Sequence, residues 1–578
     1  MDSYKNITEV EMNQLVLPSH TNERQEHCLS GGQLLKWMDA AACLSAEKHA
    51  RTSCVTASMD ELYFDQQIYV GQVVNITARV NRAFHTSMEV GVRIRVEDLL
   101  SGEIRNVCKA FFTFVALDKN HQKQQLTPVV PFTEEEKSQY ALANERRRMR
   151  IQYPVNLREL AKKQNDQHDN EMYTPESETR SNGEIAPVNT SLESVELVLP
   201  PHANHHQTAF GGQIMAWMVA ACTITATRLC RSHPQLEAVD EVKFRGPIKV
   251  GDRVVIKTMV NNTYDVHMEV GCRVEAYSIG GEVRHVNSAF LIFAAPRRTD
   301  GRGDLKMLPR LMMETDEQKR RAFEAMARKR LRFEREQIRK SVGPVIAIPW
   351  NQCISQLLNF NNIEALVKLY QLTKWQEVQS SKGVTLSKCE SGNHLCVKAS
   401  YSIHLPAEVI FTLLRNEKAR KEWDPLLIKV QVIKVVDDDD EILHMVLQNK
   451  MHNATKPDDV VLLVSRRAPC DGRDHFTIAY RSVVLTTLPP YPEYNRKEHL
   501  CSGLLIKETE GEEEIIEGGS QYCLDIGKFQ AECGPFLSCS KLGFFTFPSH
   551  ELIDQILRSR EFSTVKKEKM RTVALEGH

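Results

Sequence analysis

The chain has 578 residues, which at roughly 150 residues per domain excludes a single small module and predicts several folded domains. Its 74 Lys and Arg residues balance 75 Asp and Glu residues, and the net charge of −1 excludes a general attraction to nucleic acid or acidic membranes. With 42% hydrophobic and 26% charged residues, the composition also excludes a wholly disordered protein.

The cysteines and the N-terminal segment predict an intracellular location. The fifteen Cys residues follow no repeated spacing, and Cys43 and Cys222 lie within apolar runs, as reduced core thiols do. The N-terminal segment MDSYKNITEVEMNQ is polar and acidic, unlike a secretion signal. No apolar stretch reaches the roughly 18–20 residues that a membrane span needs. We therefore expect a cytosolic protein without a membrane span.

An internal repeat organises the first half of the chain. Gly31-Gly32-Gln33 recurs as Gly211-Gly212-Gln213, and Met88-Glu89-Val90-Gly91 recurs as Met268-Glu269-Val270-Gly271, both at an offset of 180. Each copy predicts a strand, a glycine turn, one very apolar helix and a run of alternating strands. The helices are predicted at Gly32–His49, with a narrow polar stripe that includes Asp39, and at Ile214–Ile224. A helix this apolar must be wrapped by a curved antiparallel sheet.

A basic helix is predicted after each copy, at Glu134–Gln152 and Asp316–Arg339. Their arginine runs would suggest nucleic-acid binding in isolation, but acidic flanks and the neutral chain favour a solvated helix face. Between the copies, a polar segment predicts a flexible linker. The repeat then stops, which predicts a third domain. The boundaries are 8–118 for the first repeat domain, 119–162 for its helical appendage, 163–192 for the linker, 193–296 for the second repeat domain, 297–342 for its appendage and 343–560 for the third domain.

These motifs resemble a known family. The duplicated HxN, Gly-Gly-Gln helix and MEVG motifs, with Lys243-Phe-Arg-Gly-Pro247 in the second copy, resemble the acyl-coenzyme A thioesterases that carry tandem hotdog domains, most closely the cytosolic acetyl-CoA hydrolases. Close relatives carry a C-terminal StAR-related lipid-transfer (START) domain. The resemblance implies an α+β fold: two hotdog domains, each a central helix wrapped by a curved antiparallel sheet, then a START-like helix-grip domain. It also implies hydrolysis of short-chain acyl-CoA without a required cofactor, a homo-oligomer, and ATP or ADP as allosteric effectors.

The glycine pair and one acid carry the predicted chemistry. Thioester hydrolysis needs a group that activates water and donors for the developing oxyanion. The first residues of a buried helix offer free backbone N–H groups, and we assign this role to Gly212; alternatively, the glycines only form a turn. In the resembling enzymes, an Asp of one hotdog and an Asn of the loop before Gly-Gly of the other form one site. Asp39 matches that Asp; the alternative is a surface ion pair between Lys36 and Asp39.

The Asn of the family is absent. Thr208 occupies its position, with Asn204 and His206 nearby in sequence, and Val219 lies where the second helix of relatives often has Glu. We therefore expect slow hydrolysis that depends on Asp39. Two alternatives stay open: a non-catalytic acyl-CoA or lipid sensor, which these replacements favour, and a long-chain acyl-CoA thioesterase.

Coenzyme A needs cationic and backbone partners for its phosphates. Arg245, between Phe and Gly-Pro, is the strongest candidate for binding a phosphate; the alternative is a solvated turn residue. Thr86 and Ser87 could equally be ordinary polar residues of a hairpin. By resemblance, the candidates are Ala57, Ser58, Met59, Thr86, Ser87, Met88, Arg147, Arg148, Phe244, Arg245 and Gly246.

Residues 343–515 resemble a START domain, with a predicted opening helix at Asn362–Thr373 and strands at Glu441–Leu447, Val460–Ser465 and His475–Val484. Such a domain encloses a lipid in an apolar cavity, or it only mediates assembly or regulation. The acidic run Asp437–Asp440 is most simply a solvated turn. Past about Glu517 the resemblance ends: a helix is predicted at Ser549–Phe562, and no metal site is expected, since the spacing of three late cysteines does not suit one, at Cys523, Cys533 and Cys539.

Overall fold

A computed structural model describes most of the chain in two compact units, Met1–Arg330 and Leu331–His578. The described residues are 7–21, 28–64, 66–118, 120, 122–168, 184–204, 207–296, 307–340, 350, 355–372, 374–381, 384–391, 394–401, 406–417, 420–424, 426–448, 456–470, 475–499, 501–509, 521–523 and 528–530.

The first unit contains both repeats, and each repeat places one long apolar helix among antiparallel strands. The first repeat comprises β1 (Val10–Leu15), α1 (Gly31–Ala50), β2 (Cys54–Met59), β3 (Leu62–Tyr63), β4 (Val73–Ala83), β5 (Ser87–Glu97), β6 (Ile104–Ala116) and α2 (Glu134–His168). The second comprises β7 (Glu184–Ile185), β8 (Leu192–Leu197), α3 (Gly211–Cys230), β9 (Gln235–Val239), β10 (Val242–Lys243), β11 (Arg253–Tyr264), β12 (His267–Tyr277), β13 (Val283–Ala294), β14 (Arg310–Leu311) and α4 (Asp316–Lys340).

The two repeats exchange short strands. The first sheet runs β1-β4-β5-β6-β2 and ends in β10 of the second repeat, while the second sheet runs β8-β11-β12-β13-β9 and ends in β3 of the first. Within this arrangement α1 and α3 pack together in one hydrophobic core that draws residues from both repeats. The predicted helix in a curved antiparallel sheet is therefore confirmed in both copies.

The arginine-rich helices are not simply solvated, contrary to the prediction. Arg146 of α2 is 5% exposed and pairs with the fully buried Glu89 of β5, with Arg146 Nη2 2.6 Å from Glu89 Oε1. In the second repeat, Arg328 of α4 makes the same pair with Glu269 at 2.7 Å. The acid of each MEVG motif lies on the outer face of its sheet, where the basic helix covers it. Each pair therefore holds a helix on a sheet.

Part of the predicted linker belongs to the second repeat. Residues 184–192 include β7 and a 3-10 turn, Pro187–Thr190, in which Pro187 and Thr190 are buried. The Thr190 hydroxyl oxygen accepts a hydrogen bond from the Val260 N–H at 3.1 Å, which ties the segment to β11. At the other end of the predicted linker, α2 continues to His168. Residues 169–183 lie outside the described part of the chain.

One described helix, α3, is long and apolar enough to span a membrane by length and composition, so the prediction that no stretch qualifies is wrong. Its apolar character has a packing explanation, because most of the helix is buried between its own sheet and α1.

The third domain follows the predicted order of helix and strands. Its elements are α5 (Ser355–Tyr370), β15 (Gln376–Ser381), β16 (Val384–Ser391), β17 (His394–Tyr401), α6 (Ala407–Arg415), α7 (Arg420–Trp423), β18 (Leu427–Val435), β19 (Asp440–Leu447), β20 (Asp458–Arg467), β21 (Phe476–Ser482), β22 (Asn495–Arg496), β23 (Ser502–Thr509), β24 (Gln521–Cys523) and β25 (Lys528–Gln530). They form one sheet in the order β15-β16-β17-β25 and another in the order β18-β19-β20-β21-β23-β24, with β22 beside β20.

The acidic run and the last predicted helix of this domain differ in what the structure describes of them. Asp440 is fully buried and pairs with Arg467 at 3.2 Å, so the acidic run is not a solvated turn throughout. Asp440 opens β19, and its side chain points into the domain rather than to solvent. The predicted helix at Ser549–Phe562 lies outside the described residues, as do Cys533 and Cys539.

Candidate active site

Asp39 lies where the two repeats meet. Its side chain is on α1 of the first repeat and is 1% exposed. Asp39 Oδ2 accepts a hydrogen bond from the backbone N–H of Gly212, the second residue of α3, at 2.7 Å. Asp39 Oδ1 accepts one from the hydroxyl of Thr56, on β2, at 2.8 Å. The alternative of a surface ion pair with Lys36 is therefore wrong, because the carboxylate is buried and bound to both repeats.

The glycine pairs permit the close approach of α1 and α3. A Cβ atom on Gly212 would lie 2.8 Å from Asp39 Cβ and 2.9 Å from Lys36 Cα, and one on Gly32 would lie 3.1 Å from Ala216 Cα. None of these glycines has a positive φ, so a tight turn is not what requires them. Both glycines instead bring backbone groups of one helix next to side chains of the other.

Contrary to the prediction, the Gly212 N–H is not free to meet an oxyanion. It donates to Asp39. The preceding N–H, that of Gly211, donates to no group among the described residues, and it lies at the same helix N-terminus, where the positive end of the helix dipole favours negative charge. Gly211 is thus the better placed of the two to meet an oxyanion.

Burial determines the protonation behaviour of Asp39. The loss of hydration raises the pKa of Asp39 to about 6 from its ordinary 3.8, although the hydrogen bonds from Gly212 and Thr56 favour the ionised form. The carboxylate is therefore mostly ionised at neutral pH, yet basic enough to accept a proton from a bound water. A group with a pKa just below the working pH is suited to general-base catalysis.

Thr208 lies in the loop before α3 and is mostly buried. Its hydroxyl donates to Asn204 Oδ1 at 3.0 Å, and its N–H donates to the same oxygen at 3.2 Å. No hydrogen bond joins Thr208 to Asp39 within the described residues. The structure thus places Thr208 near the glycine pair in the chain without linking it to the acid, and His206 lies outside the described residues.

Two of the predicted coenzyme A segments lie side by side. β10 pairs with β2 through Val242–Met59 and Lys243–Ser58, and the Phe244 N–H donates to the Ala57 carbonyl at 2.9 Å. The segments 57–59 and 244–246 therefore flank one strand crossover, with the Arg245 side chain exposed. Met59 is buried in the core, so its side chain does not face a phosphate.

The remaining candidates form a second group. Thr86 and Ser87 lie in the β4–β5 hairpin, where the Ser87 carbonyl accepts from the Phe84 N–H at 2.7 Å. The exposed guanidinium of Arg147 stacks over the Phe84 ring, 4.4 Å from its centroid, which brings α2 to this hairpin. Arg148 is half-buried on the same helix. Met88, like Met59, is a fully buried core side chain.

The positions of the second repeat that correspond to Asp39 and its partner Thr56 are apolar. The counterparts of Asp39 and Thr56 at an offset of 180 are Val219 and Leu236, and Leu236 packs on Gly31, with Leu236 Cδ2 2.7 Å from the position of a Cβ there. A carboxylate and its hydroxyl partner are thus present at only one of the two interfaces. The described residues hold no group of three or more His, Cys, Asp or Glu arranged to bind a metal.

Sequence reasoning missed Thr56 and the buried Glu–Arg pairs. Thr56 directly precedes the candidate segment 57–59, but only the fold shows that its hydroxyl meets Asp39. The pairs left a signal in the sequence, because Glu89 and Glu269 recur at an offset of 180 and Arg146 and Arg328 at 182. A charged residue that recurs in an apolar motif indicates a buried partner.

Comparison with known proteins finds a thioesterase region in each repeat and a START domain in the third domain. Residues 27–102 and 206–281 match the thioesterase superfamily, and residues 361–521 match the START domain. Mouse acyl-coenzyme A thioesterase 11 is 44% identical over 509 residues, which cover 87% of this chain and 83% of the relative. Mouse acetyl-coenzyme A thioesterase is 41% identical over 513 residues, covering 88% and 90%. The rat acetyl-coenzyme A thioesterase is 41% identical over 504 residues, covering 86% and 88%.

Proposed function

This chain belongs to the acyl-coenzyme A thioesterases, and from that premise we propose that it hydrolyses acetyl-CoA or another short-chain acyl-CoA at the site around Asp39. Acyl-CoA hydrolysis and the fold of two hotdog domains with a C-terminal START domain, both predicted from the sequence, are confirmed by the family. The observation that carries the assignment of the site is the buried Asp39 carboxylate, bonded across the interface to Gly212. The short-chain preference is supported by the relatives named acetyl-coenzyme A thioesterase.

In the proposed mechanism Asp39 acts as the general base. It takes a proton from a water molecule while the water oxygen bonds to the thioester carbonyl carbon. The carbonyl oxygen becomes an oxyanion, which the Gly211 N–H at the N-terminus of α3 stabilises. When the tetrahedral intermediate collapses, the carbon–sulfur bond breaks and the proton on Asp39 passes to the sulfur. The products are the free acid and the coenzyme A thiol.

Each chain is proposed to hold one such site. Val219 and Leu236 remove both the base and its hydroxyl partner from the equivalent interface. Thr208, in the position of the family Asn, is proposed to orient the water through its hydroxyl oxygen. Coenzyme A is proposed to run along the β2–β10 crossover, with Arg245 at a phosphate.

The remaining proposals concern the cellular compartment, the ligand of the third domain, the oligomeric state and regulation. The Cys residues follow no repeated spacing, and Cys43 and Cys222 are buried in the apolar core, which supports a reducing compartment, and we place the protein in the cytosol. The START match supports a lipid ligand for the third domain. A homo-oligomer and regulation by ATP or ADP rest on the resemblance alone.

A panel of acyl-CoA substrates from two to sixteen carbons, with the released thiol detected, tests the proposal. We expect the highest kcat/KM for acetyl-CoA and a fall as the chain lengthens. A rate that climbs with chain length would overturn the short-chain assignment and identify a long-chain enzyme. Binding of every member without release of coenzyme A would instead identify a sensor.

A further inference from the structure

The crossover that brings the two coenzyme A segments together is very short. β10 has two residues, and it is joined to β2 by the pairs Val242–Met59 and Lys243–Ser58 and by the bond from the Phe244 N–H to the Ala57 carbonyl. So short a strand fixes its register weakly by itself. Contacts from outside the sheet must therefore hold the segments 57–59 and 244–246 at a constant separation.

Arg150 of α2 contacts both strands of this crossover. Arg150 Nη1 lies 2.9 Å from Oδ2 and 3.1 Å from Oδ1 of Asp60, the residue that follows β2. The Arg150 carbonyl accepts a hydrogen bond from Lys243 Nζ of β10 at 3.2 Å. Arg150 Nη2 is also 3.1 Å from Oε2 of the fully buried Glu89, which fixes the guanidinium against β5. One residue of the first repeat thus ties β2 to the strand donated by the second.

Arg146, one turn earlier on α2, provides an internal comparison. It bonds to the same Glu89, from Nη2 to Oε1 at 2.6 Å, and its side chain is 6% exposed, against 12% for Arg150. Within the described residues, however, Arg146 contacts neither Asp60 nor β10. The two arginines share the role of holding α2 on the sheet, and only Arg150 reaches the crossover.

We infer that Arg150 is a positioning residue for coenzyme A: through Asp60 and Lys243 it sets the separation of the segments 57–59 and 244–246. This inference rests on the proposed function, in which those segments bind the substrate. Loss of the guanidinium leaves the Asp60 carboxylate without its cation, so the end of β2 is free to move relative to β10, which stays bonded through Lys243 to the Arg150 backbone carbonyl. The contact between Asp39 and Gly212 is held by the crossing of α1 and α3, so the chemical step is expected to be much less affected than binding.

The test compares Arg150→Gln with Arg146→Gln in the full-length chain. Charge-assisted hydrogen bonds of this kind are worth enough to change an equilibrium about tenfold, so we expect Arg150→Gln to raise KM for acetyl-CoA about tenfold with kcat changed less than about threefold. Arg150→Lys, which keeps the charge, should restore part of the loss. Arg146→Gln should lower the melting temperature at least as much and leave KM unchanged.

Asp60→Asn provides the second arm if Arg150→Gln does not fold. It should raise KM in the same direction, and the double variant should be no worse than the poorer single one, because both changes break one contact. Calorimetric titration with free coenzyme A measures binding without turnover, so it tests Arg150 even if acetyl-CoA is not hydrolysed. An unchanged KM and Kd in both Arg150→Gln and Asp60→Asn, or an equal rise in Arg146→Gln, would overturn the inference.

Discussion

Replacing Asp39 by Asn is expected to stabilise the protein above neutral pH while it removes the catalytic base. Burial raises the pKa of Asp39 to about 6 from 3.8, which means that the folded state disfavours the ionised carboxylate. Because one pKa unit corresponds to about 1.36 kcal/mol, the ionised side chain lowers the free energy of unfolding by about 3 kcal/mol. Asn carries no charge, and it retains an acceptor for the Gly212 N–H and a donor for the Thr56 hydroxyl oxygen.

The sign of the pH dependence follows from the raised pKa. The stability that a neutral Asp39 contributes is present below pH 3.8 and is lost as the pH rises through 6. Urea denaturation of wild type and Asp39→Asn, followed by tryptophan fluorescence, should show a gain for the variant of about 3 kcal/mol at pH 8 and about half of that at pH 5. A variant less stable than wild type at pH 8 would refute the reasoning, because ionised Asp39 would then stabilise the fold.

Three further substitutions test the surroundings of the site. Gly212→Ala places a Cβ 2.8 Å from Asp39 Cβ, so it should destabilise the protein by about 1–3 kcal/mol. The control Gly246→Ala places its Cβ in open space and should not destabilise the protein, so equal melting temperatures for the two variants would contradict the packing argument. Thr56→Val removes a hydrogen bond that lowers the pKa of Asp39. The acid limb of the profile of kcat against pH should therefore move to higher pH by about one unit, and an unmoved limb would count against Asp39 as the general base. Arg328→Ala leaves a buried carboxylate unpaired and should lower the free energy of unfolding by about 3–5 kcal/mol in urea; no loss would mean that the pair does not hold α4.

Periodicity and internal repetition are sufficient to predict the two central helices and the antiparallel sheets that surround them. The apolar helices were predicted at Gly32–His49 and Ile214–Ile224 and are found at Gly31–Ala50 and Gly211–Cys230. The central part of each helix could be predicted because its apolar residues recur with the 3.6-residue period of a helix, and because both repeats show the same pattern. The end of α2 at His168 was missed, because the polar composition after Gln152 is also typical of a linker.

The site was predictable only in part, because its decisive contacts join residues distant in sequence. Asp39 could be singled out as an acid on an apolar helix, but its partners Thr56 and Gly212 are 17 and 173 residues away. The exchange of β3 and β10 between repeats leaves no periodic signature, since each strand has two residues. The repeat singles out Glu89 and Arg146, but it does not show that they pair, because an arginine-rich helix has the same composition whether solvent or a carboxylate faces it.

The central claim, that Asp39 activates the water that attacks the thioester, is tested most directly by turnover. Wild type and Asp39→Ala are compared on saturating acetyl-CoA at pH 8, with the coenzyme A thiol detected as it forms. We predict that kcat falls by about 10²-fold or more while KM changes little, as expected for loss of a general base. Equal rates for the two proteins would contradict the claim and remove Asp39 from the mechanism.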